Sequence, residues 1–218
     1  MSAVLTDPPL TFEAYMTWEA EQAERHEFIR GEVFAMTGAP ATHNTIAGNV
    51  FALLRDAMRG TPCRVFIADM KLQVAPADAS FYPDVFVSCD PRDRSPDAEL
   101  VQRHPKLVVE VLSDSTAAFD RGRKFEAYRS LDTLDAYLLV EQHRWHADLF
   151  LRNAEGLWVL NPVGADDNLT LTPIGTGWPW PTSTKGWTLT RWRRKRTGGL
   201  RVDGRAPIRP RAPCRACC

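Results

Sequence analysis

Phe81-Tyr82-Pro83-Asp84-Val85-Phe86-Val87 and Leu107-Val108-Val109-Glu110-Val111-Leu112-Ser113 are the stretches on which the fold turns. Each is a short, β-branched, apolar run with one carboxylate set into it. Strands this apolar are usually buried on both faces, where an unpaired Asp or Glu costs several kcal/mol. Two neighbouring strands that both accept that cost imply a use for the charge. Carboxylates converging from adjacent strands are a common way to hold a hard divalent cation such as Mg²⁺, which takes oxygen ligands. Taken singly, Asp84 after proline also reads as a turn residue, and Glu110 as a solvated charge at a strand end. The joint pattern favours a site.

Upstream, Thr11 is the expected N-cap of a helix running to about Ala23. His26-Glu27-Phe28-Ile29 and Glu32 to Met36 form a hairpin turning at Gly31. Thr42 is the expected cap of a second helix, whose buried stripe is Ile46, Val50, Leu53 and Ala57. His43, in its first turn, reads as structural or as an auxiliary group at the site. Arg64 to Ala75 alternates as one strand, with Asp69, Lys71 and Gln73 on a polar face that looks toward solvent or toward the site, solvent being preferred. Downstream, Asp114-Ser115-Thr116 opens a helix to about Leu131. Arg121, Lys124 and Tyr128 share one face of it. Ala136 to Val140 is a buried strand, and a hairpin through Asn153-Ala154-Glu155-Gly156 and a short strand at Leu169-Thr170-Leu171 follow.

This order of motifs resembles the PD-(D/E)xK nuclease superfamily and, within it, the Uma-two family of restriction endonucleases. The segments that carry the likeness are Arg25 to Val33, Thr42 to Ile46, Tyr82-Pro83-Asp84-Val85, Val108 to Ser113, and Asp120-Arg121-x-x-Lys124-x-x-x-Tyr128, together spanning about residues 10 to 175. The resemblance implies an α/β fold, a restriction-endonuclease-like core with a mixed central β-sheet flanked by helices. It implies Asp84 and Glu110 as ligands of Mg²⁺ or Mn²⁺, Glu27 as a supplementary acid, Lys124 as the catalytic lysine, and DNA as the partner. Homodimers are common in this superfamily. One departure stands out: the superfamily lysine follows the strand acid by two residues, and that position here is Leu112. Lys124, on the following helix, is the expected substitute, ahead of Lys71 and Lys106. The function implied is metal-dependent hydrolysis of phosphodiester bonds in DNA. The alternatives are a nuclease-like domain that binds DNA or a protein without cutting, and a phosphatase of small phosphate esters.

Composition bounds these readings. The chain has 27 Lys/Arg and 27 Asp/Glu, but residues 191–218 hold ten of the basic residues and one acid, Asp203. The rest therefore carries about nine excess negative charges, which argues against non-specific nucleic-acid binding through Lys and Arg. No apolar run is long enough to cross a membrane and no apolar signal core opens the chain, so a cytoplasmic protein is expected. Cys63 and Cys89 are too few and too scattered for a disulfide framework.

The expected organisation is a flexible lead-in over 1–10, one domain over 11–176, and a basic Pro/Arg/Cys-rich tail, disordered and frameshifted, over 177–218. Reading Trp178 to Thr188 from the last base of codon 177 permits Leu-Ala-Leu-Ala-Asp-Leu-Tyr-Glu-Gly-Val-Asp, an amphipathic ending that resembles the family's own. An independent read of the gene across codon 177 is expected to show a single-base difference from the present frame. An unchanged read would remove the frameshift.

Overall fold

A computed structural model of the chain describes residues 3–4, 9–36 and 38–180. The expected mixed α/β architecture is present, built on two six-stranded sheets. In chain order the strands and helices are β1 (Ala3–Val4), α1 (Phe12–Glu19), β2 (His26–Ile29), β3 (Glu32–Ala35), α2 (Ala41–Ala57), β4 (Arg64–Ile67), β5 (Lys71–Val74), β6 (Ala79–Phe81), β7 (Val85–Ser88), β8 (Val101–Gln102) and β9 (Pro105–Leu112). Then come α3 (Ala117–Phe119), a π-helical turn (Asp120–Lys124) and α4 (Phe125–Tyr128), followed by β10 (Ala136–Glu141), β11 (Ala147–Arg152), β12 (Trp158–Val163), β13 (Asn168–Leu171) and β14 (Thr176–Pro179).

The first sheet runs β1-β3-β2-β6-β5-β8 and the second β12-β11-β10-β9-β7-β4, with β13 and β14 as a separate ribbon. In the second sheet β9 and β10 are parallel, while β7 pairs antiparallel with β9, Val85 opposite Val109. Alternation along β9 sorts its side chains between two cores. Val109 and Val111 pack under α2 and the ribbon. Val108 and Leu112 face the first sheet and α4. Glu110 shares that second face, at the seam between the sheets.

Three expectations are corrected here. Arg64 to Ala75 is not one strand. The chain breaks at Ala68, which takes a left-handed φ of 53°, and passes from the second sheet into the first. Phe81 to Val87 breaks in the same way, so Asp84 lies in the crossing segment between β6 and β7 rather than inside a strand. The two crossings are tied where the Ala68 N–H donates to the Asp84 carbonyl at 3.1 Å. Finally, α2 is preceded by Pro40 and not capped by Thr42, whereas Thr11 caps α1 through the Ala14 N–H as expected. Cys63 and Cys89 form a disulfide. Antiparallel pairing of β4 with β7, Arg64 opposite Ser88, sets these distant cysteines side by side.

β14 pairs with β13, and Trp178 and Trp180 are buried against the α2-side core. Of the tail expected over 177–218, residues 181–218 lie outside the described residues. Among the described residues no helix is long and apolar enough to cross a membrane.

The β2–β3 turn requires glycine at one position. Gly31 has φ +86°, and a Cβ there would come within 2.6 Å of the Pro9 Cβ. Gly31→Ala is expected to lower the unfolding free energy by about 1–3 kcal/mol. Urea denaturation at constant m value measures it, and a loss below about 0.5 kcal/mol would show that Pro9 yields instead.

Candidate active site

Three elements bring acids to one ammonium group. Lys124, in the last position of the π-helical turn, places its Nζ 2.8 Å from Glu27 Oε1 on β2, 3.2 Å from Glu110 Oε1 on β9 and 3.4 Å from Asp120 Oδ1 one turn earlier. All four side chains are buried. The rings of Phe81 and Phe119 lie 5.6 and 5.8 Å from the same nitrogen. Three carboxylates and two ring faces give the cation compensation that a buried lysine requires. π-helical turns occur often at functional sites, and this one carries Asp120 and Lys124 at its two ends.

Glu110 divides its two oxygens. Oε1 takes hydrogen bonds from Lys124 and, at 3.1 Å, from the Tyr128 hydroxyl. Oε2 accepts from the Asp84 N–H at 3.3 Å. Asp84 in turn accepts from the Val111 N–H at 2.7 Å, and its Oδ2 lies 3.2 Å from His43 Nε2 at the start of α2. With 21% of its side chain exposed, Asp84 is the acid that meets solvent. A cavity of about 160 Å³ opens beside it, lined among others by Glu27, His43, Tyr82, Glu110, Asp120 and Lys124.

The electrostatics follow from burial. It pushes the Glu27, Glu110 and Asp120 carboxyls up, and the Lys124 charge cancels part of the rise. Burial alone would lower Lys124, but Glu110, Glu27 and Asp120 outweigh it and hold the ammonium well above the ordinary lysine value. His43 behaves alike. Burial would lower it, yet the Asp84 carboxylate and the backbone of Val111 raise it above the usual histidine value.

The sequence-derived residues Asp84, Glu110, Lys124 and Glu27 are thus brought together, with His43 at their edge. The competing lysines are engaged elsewhere. Lys106 pairs with Asp135 at 2.5 Å, and Lys71 sits over the rings of Tyr15 and Tyr82. Lys71 does not point to open solvent as the alternation suggested. Leu112 is buried in the core beside α4. Two contributors were missed. Asp120 could have been found from its i, i+4 spacing to Lys124. Glu19 left no such signal: it is buried at the end of α1, where it accepts from the Tyr82 hydroxyl at 2.8 Å and the His26 N–H at 3.0 Å. These bonds fix the neighbours of Asp84 and Glu27.

A divalent ion of the Mg²⁺ type fits the donor chemistry. Four carboxylates, Glu27, Asp84, Glu110 and Asp120, face one lysine and one histidine. Glu27 is buried, met by the Lys124 ammonium and by the backbone of Tyr82. Oxygen donors with excess negative charge suit a hard cation. Among the described residues, however, no three His, Cys, Asp or Glu side chains are arranged to hold an ion as they stand.

The model of the Uma2 family, described as "Putative restriction endonuclease", matches residues 12–183. Two proteins of Synechocystis sp. (strain ATCC 27184 / PCC 6803 / Kazusa) are similar along most of their length. "Uncharacterized protein slr1290" is 39% identical over 168 residues, which is 77% of this chain and 87% of that protein. "Uncharacterized protein sll1609" is 33% identical over 163 residues, 75% and 92% respectively. The crystal structure of "a putative nuclease belonging to DUF820" from Anabaena variabilis ATCC 29413 superposes with a TM-score of 0.66 at 12% identity. The match covers 81% of this chain and 98% of that one. At that identity the likeness shows the fold.

Removing the ammonium should leave three buried acids that must hold protons in the folded state. The folded chain then binds more protons than the unfolded one, so its stability falls as pH rises. Lys124→Ala, kept metal-free with a chelator, is expected to lose about 3 kcal/mol or more at pH 8 and distinctly less at pH 5. Urea unfolding at the two pH values measures the gap. An equal loss at both would show that the acids do not depend on Lys124.

Proposed function

The chain belongs to the Uma2 family, and we propose that it is a divalent-metal-dependent endonuclease hydrolysing phosphodiester bonds in DNA. The observation that carries this reading is the approach of Lys124 to Glu110 beside Asp84. It supplies from a helix the lysine that Leu112 cannot supply from the strand. Asp84 and Glu110 are the residues that would hold Mg²⁺ or Mn²⁺. When bound, such an ion lowers the pKa of a water and neutralises charge on the phosphoryl oxygens.

The chain's own groups do the rest. The Lys124 ammonium, kept protonated by its three acids, is a fixed, buried positive charge at the wall of the cavity. Such preorganised charge stabilises negative charge developing on a phosphoryl oxygen. Glu27 and Asp120 hold the ammonium in place. Tyr128, whose phenol is pushed up by burial and by Glu110, stays a donor and fixes the Glu110 rotamer. His43, paired with Asp84 through Nε2 and lining the cavity, steadies that carboxylate and adds positive charge where a backbone phosphate would lie.

A second reading, a nuclease-like domain that binds without cutting, is favoured by the acidic body of the chain. Cleavage separates the two. Plasmid and single-stranded DNA incubated with Mg²⁺ or Mn²⁺ are expected to be cut by the protein. Asp84→Ala should cut at least about 100-fold more slowly while remaining folded. Binding of DNA without metal-dependent cutting, unchanged by Asp84→Ala, would establish the second reading instead.

A further inference from the structure

The acidic cluster contains two places for a cation, not one. The inner place is bounded by Glu27 Oε1, Glu110 Oε1 and Asp120 Oδ1, three oxygens within 2.8–3.4 Å of a single point. That point is the Lys124 nitrogen. The outer place lies at Asp84, which is open to the cavity and backed by Glu110 Oε2 through the Asp84 N–H. Resting on the nuclease reading above, we propose that Lys124 is a built-in cation that fills the inner place. It thereby limits the protein to one divalent ion, held at the outer place by Asp84 and Glu110.

The argument is one of charge and space. Mg²⁺ and Mn²⁺ need oxygen ligands close to 2 Å away in near-octahedral order. An ammonium in the middle of the inner trio both repels such an ion and takes up the lone pairs it would use. Lys124 is tethered on a helix packed into the core, and Phe81 and Phe119 close over it, so it cannot easily swing aside. Glu27 is 1% exposed and lies 2.8 Å from the ammonium, so it has no bulk solvent to turn to once the lysine is gone. Three acids surround a single positive charge, and the inner place therefore has oxygens enough for a divalent ion. Removing the lysine should turn it into a second metal site.

The test counts ions rather than turnover. Chelator-treated protein is titrated with Mn²⁺, and free Mn²⁺ is followed by electron paramagnetic resonance. The wild-type chain is expected to bind one Mn²⁺ and Lys124→Ala two, a doubling. Lys124→Arg should stay at one, and Lys124→Ala with Glu27→Gln should return to one. Thermal melts give a second readout. Mn²⁺ should raise the melting temperature of Lys124→Ala more than that of the wild type, and should restore folding if the variant is unfolded without metal. Two ions on the wild type, or one ion on a folded Lys124→Ala, would overturn the inference. Absence of Mn²⁺ binding by the wild type would instead overturn the nuclease reading beneath it.

Discussion

Everything in this structure depends on a lysine that cannot leave. Lys124 is buried with three acids contributed by β2, β9 and the helical turn that carries the lysine itself. Withdrawing one partner would strand the others at several kcal/mol each, so the arrangement is retained as a unit or not at all. It also locks the architecture. Glu27 belongs to the first sheet and Glu110 to the second, and the ammonium is their shared counter-ion across the seam. The helical run is pinned from its other side as well, where the Tyr137 hydroxyl donates to the Asp120 carbonyl at 3.0 Å.

A second buried network sets the outer acid. Tyr82 immediately precedes Pro83-Asp84, and its hydroxyl is held by Glu19. The same carboxylate takes the His26 N–H, next to Glu27, and the Tyr15 hydroxyl donates to the His26 carbonyl at 2.6 Å. Proline restricts the residue before it to extended backbone, and that residue is Tyr82. The segment that crosses between sheets is thus fixed both by its own covalent geometry and by α1. Asp84 arrives opposite Glu110, one step beyond the Val85–Val109 pair, because the crossing begins there.

The site was legible in the sequence wherever chemistry was unusual for its setting. A carboxylate inside Leu107 to Leu112 stands out against apolar neighbours, and β9 and its face were readable from that run. Helical spacing put Arg121, Lys124 and Tyr128 on one face and the resemblance picked out Lys124; Lys124 and Tyr128 do meet Glu110, while Arg121 pairs with Glu141 and Asp148 instead. What could not be read was long-range. Nothing in Arg64 to Ala75 announces that its alternation is split between two sheets, because strand periodicity is the same on both sides of the break at Ala68. The Cys63–Cys89 bond depends on β4–β7 pairing, and Glu19 depends on where α1 docks. Trp178 and Trp180 alternate as a strand pairing with Leu169 requires, yet composition alone assigned them to a tail. The shifted frame would place Leu at both positions, so either reading presents an apolar residue to the same core.

Carrying Lys124 on the helical run and not on β9 has a structural consequence. A lysine two residues after Glu110 would share its strand and would keep its distance to the acid however the rest of the domain packed. Here the equivalent position is Leu112, released to fill the core with Ala127, Tyr128 and Leu131 from the helical run. The carbonyl of Leu112 is capped by Gln142 at 2.6 Å, so the strand end is finished without a charge. The acid and its lysine therefore meet only when the helix is seated on the sheet by those same apolar contacts. Burial of Leu112 thus does more than finish the strand end. It is part of what holds Lys124 against Glu110, and it ties the integrity of the site to the packing of the second core.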